Sequence, residues 1–586
     1  MPTVSGKEHV TNSGSQDTRT PEVGKAPQRD PRGGAALCSG SPRFTDSVLN
    51  AVAKRDGLAA AWTSAFSSLG PDAPKTVQGD FAVGIRLTDG SVFLAVDRFA
   101  VRTICYRQQG EVIEFSERAD DLAKSASDLD PQAIFDYLYH HFIPSPRTVF
   151  RDVFRLPPGH CAHFHNGKLS IAPYWQPGFE EPSNQPFEPL RDEFRQCLRD
   201  AVTAQLGTAR VGCFLSGGTD SSTVAGLLGE VTGTAAQTFS IGFDAAGYDE
   251  MEYSRIAARH FGAEHHEYYV TPSDLIDSIP MVAGSYDQPF GNSSVLPAYY
   301  CAKVAREAGI EKILGGDGGD ELFGGNTRYA KQRVFGLYGS IPAGVRNHLL
   351  QPLLIGNPLA PRVPLVRKAS SYVSQAMVPM PDRMQSYNLI MRLGLADVLC
   401  AGFLDAVDVD GPISQQREVY EQCAASSLVN RMLAFDWRYT LAENDLPKVV
   451  GATALAHLPV GFPLLDDRLV DFSMRLPPHF KVKGLKLRWF FKEALRGFLP
   501  DQIITKKKQG FGLPFGVWTV RNPDLFRLAE DSLRSLGARG IMRPDFIDAL
   551  LTRHIHAHPG YYGELVWISM MLEQWLRKNA PDYRMP

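Results

Sequence analysis

From residue 43 onward, apolar and polar positions follow two different rhythms. Residues 79–87 and 91–97 read as two strands around the turn Thr88-Asp89-Gly90, a hairpin signal. Residues 103–107 and 112–116 continue the β pattern, 131–140 is helical, and 159–171 forms another hairpin around Asn166-Gly167. The segment 43–175 is therefore expected as an α+β domain in which strands dominate. Residues 176–188 are polar and rich in proline, and read as a linker. A second unit spans 189–586 and opens with a helix at 190–206. Short apolar runs at 211–215, 238–243, 267–270 and 312–314 then alternate with helical patterns, the rhythm of a parallel α/β sheet. From about residue 330 the chain is expected to be mainly helical. Residues 1–42 hold almost no bulky apolar side chain to offset the entropy of ordering, and are expected as a disordered tail.

Composition narrows the classes. At 586 residues the chain is too long for one compact unit. Its 61 Lys and Arg nearly balance 64 Asp and Glu, leaving a net charge of −3. That balance gives no electrostatic case for nucleic acid or an anionic membrane. No apolar run reaches the length of a spanning helix. The eight cysteines are scattered and none pairs as C-x-x-C, which argues against a structural zinc site and for reduced thiols in the cytoplasm. The expected localisation is cytoplasmic.

The chemistry concentrates in two strings. In the first, an apolar strand runs into Leu215-Ser216-Gly217-Gly218-Thr219-Asp220-Ser221-Ser222, and a helix at 223–228 follows. Two glycines let the backbone turn tightly, and the amides of the turn and helix start point at an anion. Ser216, Ser221 and Ser222 add hydroxyl donors. Asp220 would repel bare phosphate and makes sense as a ligand of Mg²⁺ lying between them. A capping role for these residues is the competing explanation; the complete string after a strand favours a phosphate cradle. The second string, 314–325, packs six glycines around Asp317, Asp320 and Glu321. Asp320 is the candidate second Mg²⁺ ligand, and Asp317 the candidate to accept a proton or orient an amine.

The first string resembles the pyrophosphate-binding loop of the ATP-pyrophosphatase group. Together with Phe239-Ser-Ile-Gly-Phe243, Tyr248-Asp-Glu250, Asp287-Gln-Pro-Phe-Gly291, Pro463-Leu-Leu-Asp466 and 506–511, the two strings stand in the order found in the asparagine synthetase B family. The resemblance covers about residues 75–580. It implies an α/β protein: an N-terminal Ntn-hydrolase-like (glutaminase-like) α+β domain, then a parallel-sheet ATP-pyrophosphatase synthetase domain with a helical C-terminal part. It implies ATP and Mg²⁺, with a carboxylate activated as an acyl-adenylate and then attacked by an amine. Ile241 and Gly316 would lie by the adenine and ribose, Leu215 would be a further nucleotide-binding residue, and Lys508 would neutralise charge near the α-phosphate and the tetrahedral intermediate.

The chain also departs from that family. Glutamine-using members begin Met-Cys-Gly, whereas this chain begins Met1-Pro2-Thr3, and Cys38 lies far inside. The glutaminase-like half is therefore expected to be degenerate, with Gly79-Asp-Phe-Ala82 and Asp97-Arg-Phe99 kept for structure. Gly461 stands where the family usually carries Arg, which puts asparagine as product in doubt. Four functions stay open: an asparagine synthetase-like ligase without its own glutaminase, a lasso-peptide or β-lactam type cyclase, an ammonia- or glutamine-dependent asparagine synthase, and a nucleotide-binding pseudo-enzyme. Small-molecule or peptide carboxylates and amines are the expected partners, with a homodimer or a biosynthetic-cluster partner open. The His140-His141, His265-His266 and His554/His556/His558 groups read as packing or surface, and Glu443 and Asp445 as surface carboxylates.

Overall fold

The computed structural model describes residues 28–29, 35–125, 128–339, 341–355, 363–386, 388–507 and 512–585. The first unit contains β1 (Ala35–Gly40), β2 (Phe81–Arg86), β3 (Val92–Val96), β4 (Cys105–Gln109), β5 (Val112–Ser116), β6 (His160–His165) and β7 (Lys168–Pro173). An antiparallel sheet runs Gln28–Arg29, β1, β2, β3, β6, β7. Period-two alternation splits its side chains between two cores. Phe81, Val83, Ile85, Phe93 and Ala95 face helices α1 (Ser47–Asp56) and α2 (Leu58–Leu69), where Trp62 is fully buried against Phe44 and Phe81. Ala82, Val92, Leu94 and Val96 face the other way, onto Tyr106 and Ile113 of the β4–β5 pair.

Two differences from the sequence reading stand out here. Residues 35–40 fall inside the expected tail, yet they pair along β2 from Ala36 opposite Ile85 to Gly40 opposite Phe81. Ala-rich α1 and α2 are also absent from the strand-dominated expectation. Asp46 caps α1 by accepting from the Val48 and Leu49 amides. The helix at Pro131–His140 (α3) stands where the pattern places it. Asp97 is structural as expected: buried, it accepts from the amides of Phe81, Phe99, Val101 and Arg102, and burial pushes its carboxyl up to about 7. Cys38 sits mid-strand opposite Val83, and burial pushes its thiol up to about 12.

The second unit begins with α4 (Phe187–Gln205), two residues inside the segment expected as linker; its Leu190, Phe194, Leu198 and Val202 form one buried stripe. Five strands follow: β8 (Val211–Phe214), β9 (Gln237–Phe243), β10 (Glu264–Val270), β11 (Lys312–Leu314) and β12 (Val460–Gly461). All pair in parallel in the order β10-β9-β8-β11-β12. Helices α5 (Thr219–Thr232), α6 (Met251–Phe261), α7 (Pro272–Ser285) and α8 (Val295–Glu307) make the crossovers. The chain winds outward from β8 through β9 to β10, then returns to β8's other side at β11. The carboxyl ends of β8 and β11 therefore flank a topological switch point, where such sheets bind ligands. Beyond residue 325 the described chain is mainly helical.

Buried charge joins the two units. Glu443 is 4% exposed, not a surface carboxylate. Its Oε1 accepts from Ser145 N (3.1 Å) and Ser145 Oγ (2.5 Å) and pairs with Arg438 Nη1 (2.7 Å), while Oε2 pairs with Arg155 (3.1 Å). The Gly79 amide donates to Asp467 Oδ2 (2.7 Å), and Arg98 pairs with Asp467 (2.8 Å) and Asp471 (2.7 Å). At Gly461, where the family usually carries Arg, a Cβ would press on the Gln205 side-chain amide that takes the Lys312 ammonium at 2.9 Å, so a larger residue would have to move that side chain. Replacing Glu443 with Ala strands two largely buried guanidinium groups, so Glu443→Ala is expected to cost about 3–5 kcal/mol, read by denaturant unfolding against wild type.

Candidate active site

The loop after β8 is held from both sides. Leu215 N donates to Phe239 O (2.8 Å), and Leu215 O accepts from Ser254 Oγ (3.0 Å). Gly217 has φ +64°, and a Cβ there would run into Tyr253 and Ser254 of α6. Helix α5 starts at Thr219, four residues before the expected start, so Asp220, Ser221 and Ser222 lie in its first turn. Ser221 Oγ accepts from Ser216 N (3.1 Å) and lies 3.0 Å from Ser216 Oγ. The first turn of α5 borders the cavity at Thr219, Asp220 and Ser221, and a helix start is a place that suits an anion.

The loop after β11 closes on this turn, and its glycines explain the closeness. A Cβ on Gly316 would lie 2.8 Å from Ser221 N. One on Gly319 would collide with the Asp220 carboxylate, and one on Gly325 with the Asp320 carboxylate and Arg488. Asp320 lies on the short helix α9 (Gly319–Phe323). The two turns line a cavity of about 1080 Å³. Leu215, Ser216, Gly218, Asp220, Ser221, Ile241, Gly316, Asp317 and Asp320 all border it. Gly217 and Ser222 do not: Gly217 is packed beneath α6, and Ser222 is wholly buried with no hydrogen-bond partner for its Oγ among the described residues. Lys508 lies outside the described residues.

Several side chains join the site that the sequence did not single out. Arg488, just before the helix Trp489–Ala494, reaches both carboxylates: its Nη1 is 2.9 Å from Asp220 Oδ2 and 2.6 Å from Asp320 Oδ1, and its Nη2 contacts Asp220 Oδ1. Lys506 lies over the Tyr253 ring, donates to Gly217 O (3.3 Å) and pairs with Glu250 (3.2 Å). Burial pulls its ammonium below the usual lysine range, against the raising effect of Glu250. On the far wall, Lys448 Nζ lies 3.0 Å from Asp445 Oδ1 and 3.6 Å from Asp317 Oδ1. Burial raises the Asp317 carboxyl, and Lys448 partly offsets it. Burial works against the Lys448 charge, but Asp445 and Asp317 outweigh it and hold the ammonium protonated. Asp445 is thus a wall residue and not a surface carboxylate. The sequence signal for it was present in Glu443-Asn-Asp-Leu-Pro-Lys448; for Arg488, 268 residues from Asp220, there was none.

No described group of three or more His, Cys, Asp or Glu is placed to hold a metal. His265 and His266 lie on β10, where His266 stacks on Phe239 and contacts Gln237 at 3.0 Å. No described helix is long and apolar enough to cross a membrane.

Comparison with known proteins agrees with this geometry. Residues 193–577 match the asparagine synthase family, and residues 61–175 match the glutamine amidotransferase domain. The glutamine-hydrolyzing asparagine synthetase 1 of Bacillus subtilis is 24% identical over 524 residues, covering 88% of this chain and 80% of the relative. A putative glutamine-hydrolyzing asparagine synthetase of Mycobacterium bovis is also 24% identical, covering 90% and 80%. A putative asparagine synthetase 2 of Methanocaldococcus jannaschii is 34% identical over 271 residues, covering 44% and 52%. With one match spanning the whole parallel-sheet unit and the loops that meet at its switch point, the chain belongs to the asparagine synthase family of ATP-dependent ligases.

Proposed function

We propose that the chain joins a carboxylate to an amine through an acyl-adenylate, and that the nitrogen does not come from glutamine by way of a cysteine of this chain. The observation that carries the first part is the meeting of two glycine-rich turns, from β8 and β11, with Asp220 and Asp320 brought to one guanidinium. The second part rests on Cys38. A nucleophilic thiol needs a lowered pKa or an adjacent base. Cys38 instead lies inside a paired strand with its thiol pushed up to about 12.

In this reading the turn Ser216–Gly218 and the first turn of α5 hold the β- and γ-phosphates, while Leu215, Ile241 and Gly316 border the nucleoside. The carboxylate oxygen of the substrate attacks the α-phosphorus, and pyrophosphate leaves into the turn. The amine nitrogen then attacks the acyl carbon, gives up a proton, and AMP departs with the bonding electrons. Asp317 is the candidate to take that proton, and Lys448 to orient Asp317 and the incoming carboxylate. Asp220 and Asp320 would hold Mg²⁺. Two carboxylates suit an ion that keeps several waters and phosphate oxygens, and Asp220 and Asp320 both border the cavity and already share one cation, Arg488. When bound, that ion offsets charge on the departing pyrophosphate. Lys508 keeps its proposed place near the α-phosphate, and Lys506 is a second cation at the same loop.

The amine is then either free ammonia or a group already on the substrate, as in an intramolecular cyclase. The place of Cys38 in a paired strand, with its thiol raised, favours both over glutamine.

Exchange of labelled pyrophosphate into ATP, driven by candidate carboxylates beginning with L-aspartate, tests the adenylation. Asp220→Ala is expected to lower it by about 10²-fold or more; unaltered exchange would remove the site assignment. With the carboxylate that supports exchange, glutamine is expected not to serve as nitrogen source, whether ammonium or an amine on the substrate does, and Cys38→Ala is expected to leave the rate of amide formation unchanged. A base must be deprotonated, so amide formation is expected to rise with pH through the raised pKa of Asp317. Asp317→Asn should remove that limb of the pH profile while pyrophosphate exchange persists.

A further inference from the structure

The two carboxylates that would receive a metal already share a cation supplied by the chain. Arg488 is 6% exposed and places Nη1 within 2.9 Å of Asp220 and 2.6 Å of Asp320. Its position is enforced. Its backbone adopts φ +52°, ψ +37°, a left-handed conformation that an arginine rarely takes, and its amide donates to Gly324 O at 3.1 Å. Its guanidinium lies over the Phe491 ring at 4.5 Å. Gly325 lacks the side chain that would separate Arg488 from Asp320. Four separate features thus seat one guanidinium between two carboxylates.

Asp220 and Asp320 together carry −2, Arg488 contacts both and returns +1, and Lys492 adds positive charge near Asp320. A free divalent ion would therefore meet an arginine already in its place, and a buried guanidinium cannot leave without another acceptor. A phosphate chain is such an acceptor, since its oxygens take the fork of a guanidinium in pairs. Ordinary stabilisation of the fold is the plainer role for such a bridge. It does not account for a bridge that borders the cavity on both of its carboxylates.

We propose that Arg488 is a positioning residue that stands in for the divalent ion: it holds Asp220 and Asp320 at their spacing before nucleotide arrives, excludes free metal, and passes to the phosphates when metal and nucleotide enter together. This rests on the reading of the site as an ATP-pyrophosphatase centre and adds to it that metal and phosphate bind as a coupled pair. Metal alone gains little from the site, because its entry must displace Arg488 with no phosphate to take it.

Binding of Mn²⁺ alone to the purified full-length protein, followed by loss of the free-ion EPR signal, tests this without any turnover. Wild type is expected to take up no more Mn²⁺ than Asp320→Asn does. Arg488→Met, with its fold checked by circular dichroism, is expected to bind one Mn²⁺ about 5- to 150-fold more tightly than wild type, the usual span of a coupling between sites. A single site saturating in wild type and missing from Asp320→Asn would overturn the proposal, even if Arg488→Met does not fold. So would a folded Arg488→Met that binds Mn²⁺ no better than wild type. Pyrophosphate exchange plays no part in this measurement, so the adenylation reading and the role of Arg488 fail or stand separately.

Discussion

Two ionised carboxylates that share a largely buried space need a cation between them; otherwise one of them takes up a proton. At about 4 Å and an effective dielectric of 20, like charges repel by roughly 4 kcal/mol. Everything around the switch point follows from meeting that constraint. Gly319 and Gly325 open room for Asp220 and Asp320, and Gly316 lets the second turn lie against the first turn of α5. Arg488 arrives from the far end of the chain to balance the charge. The parallel sheet does the coarse work of bringing the ends of β8 and β11 side by side, and the glycines then set the approach to within one methyl group.

The glycine-rich strings were legible in the sequence because the backbone demand and the chemistry lie in the same few residues. A strand, a tight turn and a helix start each leave a local mark, and Ser216, Gly218, Asp220, Asp317 and Asp320 all lie at the cavity border. The wall opposite was harder. Lys448 and Asp445 lie on a helical stretch whose local pattern is that of any amphipathic helix, and only the fold shows which face meets Asp317. Arg488 left no local signal at all: its role depends on a contact across 268 positions, which spacing along the chain does not encode.

Helices α1 and α2 failed to register for a related reason. The buried positions of α2 are four alanines, Trp62 and Thr63, and Leu49 and Val52 of α1 and Leu58 and Phe66 of α2 are only half-buried beside them, so the apolar contrast that marks an amphipathic helix is weak. Burial of Trp62 against Phe44 and Phe81 is a tertiary fact. Strand β1 escaped likewise, because Ala-Ala-Leu-Cys-Ser-Gly at 35–40 has little bulk of its own and is ordered by pairing with β2. Glu443 shows the converse. A carboxylate amid polar neighbours reads as surface, but three partners from two units bury it.

That last contact shows what the amidotransferase-type domain supplies to the parallel-sheet unit besides any chemistry of its own. The parallel-sheet unit relies on it for charge balance. Glu443 is satisfied by Ser145 and Arg155, Asp467 by the Gly79 amide and Arg98, and Asp466 by Arg43 at 3.2 Å. The Trp437 ring lies stacked at 6.1 Å on Trp175, the last residue of the first unit. Trp437 and Glu443 belong to the same helical segment that ends at Asp445, and Lys448 is only three residues further on. The first unit therefore buttresses the wall of the cavity from behind. Without the first unit, Glu443 would keep only Arg438 and Asp466 only Arg468, and Asp467 would lose both the Gly79 amide and Arg98, so buried charge behind the cavity wall would be left short of partners.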